Sequence, residues 1–248
     1  MRHDGVDARG YPTRTATLPG DSTGLAEEAA DPYCVDFDRA AERLRPLPWQ
    51  RLAVLGDSVT AGVRDPRPGY WDASFADRLR LALAVTRPRF ESVNLAVPHL
   101  TVRDIREQQL QPALGFAPDV VLLTAGGNDA FTPYDPAALR AELSSLLAPL
   151  AELGARVVTV GLFDLARPGI VPPGPAEAMA DRFDELDRIT ASVTAELGGL
   201  HVDTHRHPLA ADPDIYAADR IHANVRGHAV AFAAIVEAIA SADPEEHR

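Results

Sequence analysis

Five short apolar runs, each separated from the next by a longer stretch with helical spacing, constrain this chain more than any other feature. They fall at 52–55 (Leu-Ala-Val-Leu), 92–97, 120–123 (Val-Val-Leu-Leu), 156–162 and 200–203. Continuous apolar runs bounded by turn residues suit strands buried on both faces. Between the first two, Trp71, Phe75, Leu79 and Leu83 recur at four-residue spacing and predict an amphipathic helix over 70–85. Further helices are predicted over 101–114, with Thr101 as cap and Asp104 in the first turn, and from Asp135-Pro136 to Gly154. A fourth ends at Gly198, and the last covers 224–240. Parallel strands need crossover connections, so the alternation predicts an α/β fold with a five-stranded parallel sheet, three layers deep as α/β/α.

Outside this pattern, residues 1–30 carry Gly, Asp, Thr and Pro without periodicity and are expected to form a mobile leader. A short helix over 36–44, closed by Pro46 and Pro48, is expected to pack on the body of the protein. Residues 31–248 then form a single domain with its core in 51–240, which suits a chain of 248 residues. A formal net charge of −12 argues against nucleic acid or an anionic membrane as the main partner. One cysteine, Cys34, excludes an intramolecular disulfide and a multi-cysteine zinc site. The amino terminus shows no apolar core of a secretory signal, and no stretch approaches the roughly 18–20 apolar residues of a membrane span. A cytoplasmic protein without a membrane span is the resulting expectation.

The chemistry gathers at strand ends. The first run leads into Gly56-Asp57-Ser58, where glycine can turn the chain sharply and leave a hydroxyl at the sheet's carboxyl edge. Alone, that tripeptide is also ordinary turn and helix-cap chemistry. After the second run comes a segment from Asn94 to Pro98-His99; after the third, Gly126-Gly127-Asn128-Asp129; before the last helix, Asp219-Arg220-Ile221-His222. In a parallel sheet these tips converge on one face whatever their separation in sequence. Acyl transfer through serine needs a base, a carboxylate to fix the base's tautomer, and donors for an oxyanion. His222, Asp219 three residues before it, and Asn128 with the Ser58 amide offer these groups.

Gly56-Asp57-Ser58, Gly126-x-Asn128-Asp129 and Asp219-x-x-His222 resemble three signature blocks of the SGNH (GDSL) hydrolases, in the right order and at the right strand ends. The resemblance covers 51–240 and implies a flavodoxin-like sheet and a carboxylic ester hydrolase of the esterase, lipase or deacetylase type. It implies Ser58 as nucleophile, His222 as base, Asp219 as its orienter, and Ser58, Asn128 and His99 around the oxyanion. Asp57, Gly127 and Asp129 would support the loops. A small-molecule ester is the implied partner, with no metal and no cofactor. The same site with an acceptor alcohol or amine in place of water would be an acyltransferase, and a silenced one a binding protein. One position departs from the family pattern: the glycine usual in the second block aligns with His99. A backbone amide does not require glycine, but positive φ costs a histidine of order 1 kcal/mol or more.

Several motifs read otherwise. His201, Asp203, His205 and His207 alternate, and on a strand they would share one face, as a metal site requires; a strand end running into a polar loop before Pro208 explains them as well. His228 lies off the face of His222 and reads as structural. Helical spacing puts Trp71 and Phe75 in the core rather than in an acyl pocket. The proline- and glycine-rich stretch 167–175 is expected to be a surface loop beside the site. Thr60 stands where an α/β-hydrolase nucleophile elbow would carry its second glycine, and no nucleotide-binding glycine pattern accompanies Gly126-Gly127.

Overall fold

Each apolar run forms a strand, and all five strands run parallel. The computed structural model describes residues 17–19, 25–167 and 173–242, together with a two-residue antiparallel pairing of Gly5–Val6 with Pro12–Thr13. Among the described residues the main sheet contains β1 (Arg51–Gly56), β2 (Glu91–Asn94), β3 (Val120–Thr124), β4 (Arg156–Val160) and β5 (Leu200–Val202). Their spatial order is β2-β1-β3-β4-β5. Val54 of β1 sits beside Asn94 on one side and Leu122 on the other. This order places the topological switch point between β1 and β3, where an α/β sheet opens a crevice beyond its carboxyl ends. Ser58 follows β1 and Asn128 follows β3.

Successive strand residues point to opposite faces, which divides the core in two. Leu52, Val54, Val120, Leu122 and Val158 face the layer of α2 (Phe37–Leu44), α4 (Phe75–Ala84) and α9 (Val225–Ala242). Ala53, Leu55, Val121, Leu123 and Val157 face α5 (Val102–Phe116), α7 (Pro136–Glu152) and α8 (Pro173–Glu196). Each fully buried aliphatic side chain contributes about 1.5–3 kcal/mol of transfer free energy, so two covered faces account for the apolar runs of the central strands β1, β3 and β4, whereas the edge strand β2 is largely exposed.

Local rules place most helix ends. Thr101 and Asp104 form a reciprocal capping box on α5. The Asp135 carboxylate accepts from the amides of Ala137 and Ala138, with Pro136 in the first turn of α7. Helix α4 is shorter than predicted, because Ser74 caps it and residues 70–73 turn instead. Trp71 there packs edge-on against Phe37 with Arg78 over its ring, which makes it a core residue. Strand β2 ends at Asn94, although the amides of Leu95 and Val97 still bond Val54 and Gly56. Helix α8 begins at Pro173, inside the predicted 167–175 loop, since a helix's first turn tolerates proline. Residues 168–172 of that loop lie outside the described residues.

The expectation of a mobile leader falls largely outside the described residues, but its end does not follow it. Ala26–Ala30 forms helix α1, and Glu28 there pairs with the buried Arg78 at 2.5 Å and accepts from the Trp71 amide at 2.8 Å. The membrane expectation also needs a correction. Val225–Ala242 is long and apolar enough, by length and composition, to cross a bilayer. In the fold it is a core helix: Val225, Phe232, Ile235, Val236 and Ile239 are buried.

Candidate active site

Ser58 owes its position to the turn before it. Gly56 has φ +138°, and a Cβ there would lie 2.2 Å from Thr60 Oγ1 and 2.3 Å from the Thr124 carbonyl, so only glycine fits. The buried Gln109 of α5 clamps the same residue, accepting from the Gly56 amide at 2.9 Å and donating to its carbonyl at 2.8 Å. Asp57 then caps the one-turn helix α3 (Ser58–Ala61) by accepting from the Val59 amide at 3.0 Å. Ser58 heads that turn, so its amide is one of those with no intrahelical acceptor. Its side chain faces the crevice.

The second part of the site is a loop over 212–224. It is closed by the Ala217 amide donating to the His222 carbonyl at 2.8 Å and by a bridge between Tyr216 and Ala223. Asn224 donates to the carbonyls of Asp214 and Tyr216, and the Asp65 carboxylate accepts from the Ala218 amide at 2.6 Å. Within the loop, Asp219 Oδ1 accepts from the amides of Ile221 at 2.9 Å and His222 at 3.0 Å. Its Oδ2 meets His222 Nδ1 at 2.5 Å, and His222 Nε2 lies 2.7 Å from Ser58 Oγ. Burial pushes the Asp219 carboxyl up, yet the bonds from the His222 ring and the two amides outweigh it and hold the group below its usual range. An ionised Asp219 only accepts, so Nδ1 carries the imidazole proton and Nε2 presents its lone pair to the Ser58 hydroxyl. Ser58, Asp219 and His222, with 164 positions between the first and the last, form one hydrogen-bonded chain.

Facing them is the one-turn helix α6 (Gly127–Ala130), entered through Gly126 at φ +99°. Asn128 Nδ2 donates to Asp57 Oδ2 at 3.2 Å and to the Leu100 carbonyl at 3.0 Å. Both amide hydrogens are therefore held by the protein. Asp129 Oδ2 accepts from the Val102 amide at 3.0 Å, which ties the third-strand loop to the start of α5. A Cβ on Gly127 would stand 3.3 Å from Leu162, tight against the crevice wall. Asp57, 1 % exposed, has its carboxyl pushed up to about 6 by burial, which exceeds the opposing effects of the Val59 amide and His222. His99 adopts φ +69° and lines the crevice, so the backbone keeps the left-handed turn that the usual glycine would supply.

The crevice encloses about 180 Å³. Phe131, Leu162, Phe163, Leu165, Phe183 and Ile221 give it a largely apolar wall, and the ionisable groups on its lining are Asp57, His99, His222, His228 and Tyr216. Phe75, expected only in the core, is buried and also lines this space. His228 accepts from the Phe75 amide and donates to the Val63 carbonyl; burial pushes its imidazole down to about 3, so it is neutral and structural.

The alternating histidines do not gather. His201 bonds Thr159 and Asp187, His205 bonds the Leu162 carbonyl and Asp184, and His207 accepts from the Leu209 amide. Strand β5 stops at Val202, so the alternation past it has no shared face. Asp164, Asp184 and His205 do come within metal-ligand spacing, but Arg167 bonds both carboxylates there. Sequence reasoning missed Gln109, Asn224, Asp65 and the Leu100 carbonyl as supports of the site. Gln109 had a local signal, a polar residue four positions after Ile105 on the buried face of α5. The others act through loop contacts with no periodicity.

Residues 54–230 match the GDSL-like lipase/acylhydrolase family. An arylesterase from Vibrio mimicus is 26 % identical over 137 residues, a match spanning 55 % of this chain and 63 % of that protein. An α/β hydrolase from the metagenome of Lake Arreo, Spain, superposes with a TM-score of 0.61 at 25 % identity, over 76 % of this chain and 94 % of its own. An acetylxylan esterase from Geobacillus stearothermophilus gives 0.62 at 22 % identity, over 77 % and 94 %, and so shows a common fold.

Proposed function

Since the chain belongs to the GDSL-like lipase/acylhydrolase family, we propose that it hydrolyses a carboxylic ester through an acyl intermediate on Ser58. The observation that carries this reading is the chain of bonds from Ser58 Oγ to His222 Nε2 and from His222 Nδ1 to Asp219. Ser58 Oγ attacks the ester carbonyl as its proton passes to Nε2, and Asp219 stabilises the imidazolium that forms. Collapse of the tetrahedral species breaks the bond to the alcohol oxygen, which takes the proton from Nε2. Water then attacks the acyl-serine with His222 again as base, releasing the acid and restoring Ser58. The Ser58 amide and Asn128 hold the developing oxyanion, with the segment at His99 as a further donor.

The crevice supports an uncharged substrate with a compact apolar group. Its 180 Å³ is close to the roughly 150 Å³ of an apolar cavity able to hold benzene, so one aromatic ring or a short branched chain fills it. That preference distinguishes it from a site built for sugar hydroxyls, which needs converging polar side chains.

The test is a serine-reactive fluorophosphonate followed by intact mass, with Ser58→Ala in parallel. A single adduct on the native protein, absent from the variant, supports the reading; no adduct on folded native protein refutes it. A panel of p-nitrophenyl esters then tests the acyl preference, with benzoyl or branched short-chain esters expected ahead of long linear ones.

A further inference from the structure

The segment 25–49 precedes the family match, which begins at residue 54, and the solved structures that cover 76–77 % of this chain are themselves covered over 94 %. Relative to that family match, residues 25–49 are an amino-terminal addition. The addition is built into the body: Ala40, Ala41 and Leu44 of α2 are buried under α4 and α9. Its most specific contact lies elsewhere, at the foot of the 212–224 loop that carries Asp219 and His222.

Asp31 Oδ2 accepts from Arg226 Nε at 2.8 Å and from the Tyr70 hydroxyl at 2.9 Å, and Oδ1 accepts from the Tyr33 amide at 3.0 Å. Arg226 is the second residue of α9, directly beyond the loop's far end, and its NH1 donates to Asp212 Oδ2 at 3.1 Å at the near end. One guanidinium fork thus joins both feet of the loop and ties them to the addition. The Asp31 side chain is 5 % exposed, so little solvent competes for the pair. Arginine's planar donor fork suits this double bridge, whereas a lysine would put a single point charge in its place.

We infer that Asp31 is a positioning residue: by fixing Arg226, and through it Asp212, it holds the His222 loop in register with Ser58. The inference rests on the hydrolase reading above, because its main readout is the reactivity of Ser58. His222 stands on a loop rather than on the sheet, and catalytic groups displaced by about 1 Å can lose 10²-fold in rate. Glu28 supplies the internal control. It anchors the same addition through Arg78 and the Trp71 amide, with no hydrogen bond to the loop among the described residues.

The experiment measures the second-order rate of fluorophosphonate labelling for the native chain, Asp31→Asn, Arg226→Lys, their combination, and Glu28→Gln. All are measured at a temperature where near-ultraviolet circular dichroism shows each protein folded. Asp31→Asn and Arg226→Lys are expected to slow labelling by about fivefold or more. The combination should be little slower than either single change, since both cut one bridge. Glu28→Gln should lower the melting temperature yet label within about twofold of native. Native-rate labelling by both folded loop variants overturns the inference, and so does equal slowing by Glu28→Gln, which would mark a general loosening. If Asp31→Asn does not fold, Arg226→Lys decides by the same criterion. If the native protein is not labelled, the hydrolase reading fails, and ¹⁵N spectra of the His222 ring decide the inference alone. Tautomer averaging in Asp31→Asn then supports it, and an unchanged ring spectrum refutes it.

Discussion

Replacing Asp219 by asparagine should harm Ser58 more than removing the side chain altogether. Asp219 Oδ1 accepts from two backbone amides, Ile221 and His222, while Oδ2 faces His222 Nδ1. In Asp219→Asn the carbonyl oxygen keeps the two amide bonds, so the NH₂ group is directed at Nδ1. His222 must then carry its proton on Nε2 and cannot accept from Ser58. Rotating the asparagine amide by 180° restores the useful tautomer but sets NH₂ against two N–H donors. Two hydrogen bonds at about 1 kcal/mol each put that at about 2 kcal/mol, a bias of roughly 30-fold toward the wrong tautomer. Asp219→Ala loses orientation but imposes no tautomer. Its side chain is 45 % exposed, so water can occupy the vacated position and the imidazole can choose either proton site. Both variants should therefore label with fluorophosphonate far more slowly than native, with Asp219→Asn about 10- to 30-fold below Asp219→Ala. Labelling rates followed by intact mass give the comparison directly. An asparagine variant as fast as the alanine variant would refute the reasoning, because the two backbone bonds would not be fixing the side chain.

Gln109→Leu leaves the buried amide of Gly56 without a partner and its carbonyl with the Val97 amide alone; about 1–3 kcal/mol of stability should be lost in urea unfolding, and Ser58 labelling should slow with it. Between pH 6 and 4 two buried groups should oppose each other. His228, at about 3 when folded and 6.5 unfolded, binds its proton only on unfolding, so its contribution falls as pH falls. Asp57, at about 6 when folded and 3.8 unfolded, takes up its proton in the native state, so its contribution rises over the same interval. Asp57→Asn removes the second effect, and its unfolding free energy should fall more steeply than native by up to about 1.4 kcal/mol per pH unit, measured by denaturant titration at pH 6, 5 and 4. His99→Gly exchanges the strain of φ +69° for greater freedom of the unfolded chain. These are each of order 1 kcal/mol, so the stability change should stay within about 1 kcal/mol, whereas His99→Val at the same φ should lower it by more.

Local physics made a large part of this protein legible from its residues. Apolar runs announce strands buried on both faces, and Thr101, Asp135 and Gly154 mark helix ends, because each depends only on neighbours within a turn. Gly56 before Ser58, and the order of Ser58, Asn128, Asp219 and His222 along the chain, already pointed to one edge of the sheet, since a parallel sheet brings its carboxyl ends together whatever the loops do. The tertiary structure decided what distant residues do to one another. His201, His205 and His207 look alike in sequence, yet β5 ends at Val202 and sends each to a different partner. Asn128 was recognisable as a donor, but only packing shows both its hydrogens held by Asp57 and Leu100. A Cβ at Gly69 would collide with Glu27, and Asp31 meets Arg226 across 195 positions, so the amino-terminal addition is fixed by contacts that no local pattern records. Periodicity reports the face a residue turns toward its own element's neighbours; which group waits there, and how dry the meeting place is, depends on the whole chain having folded.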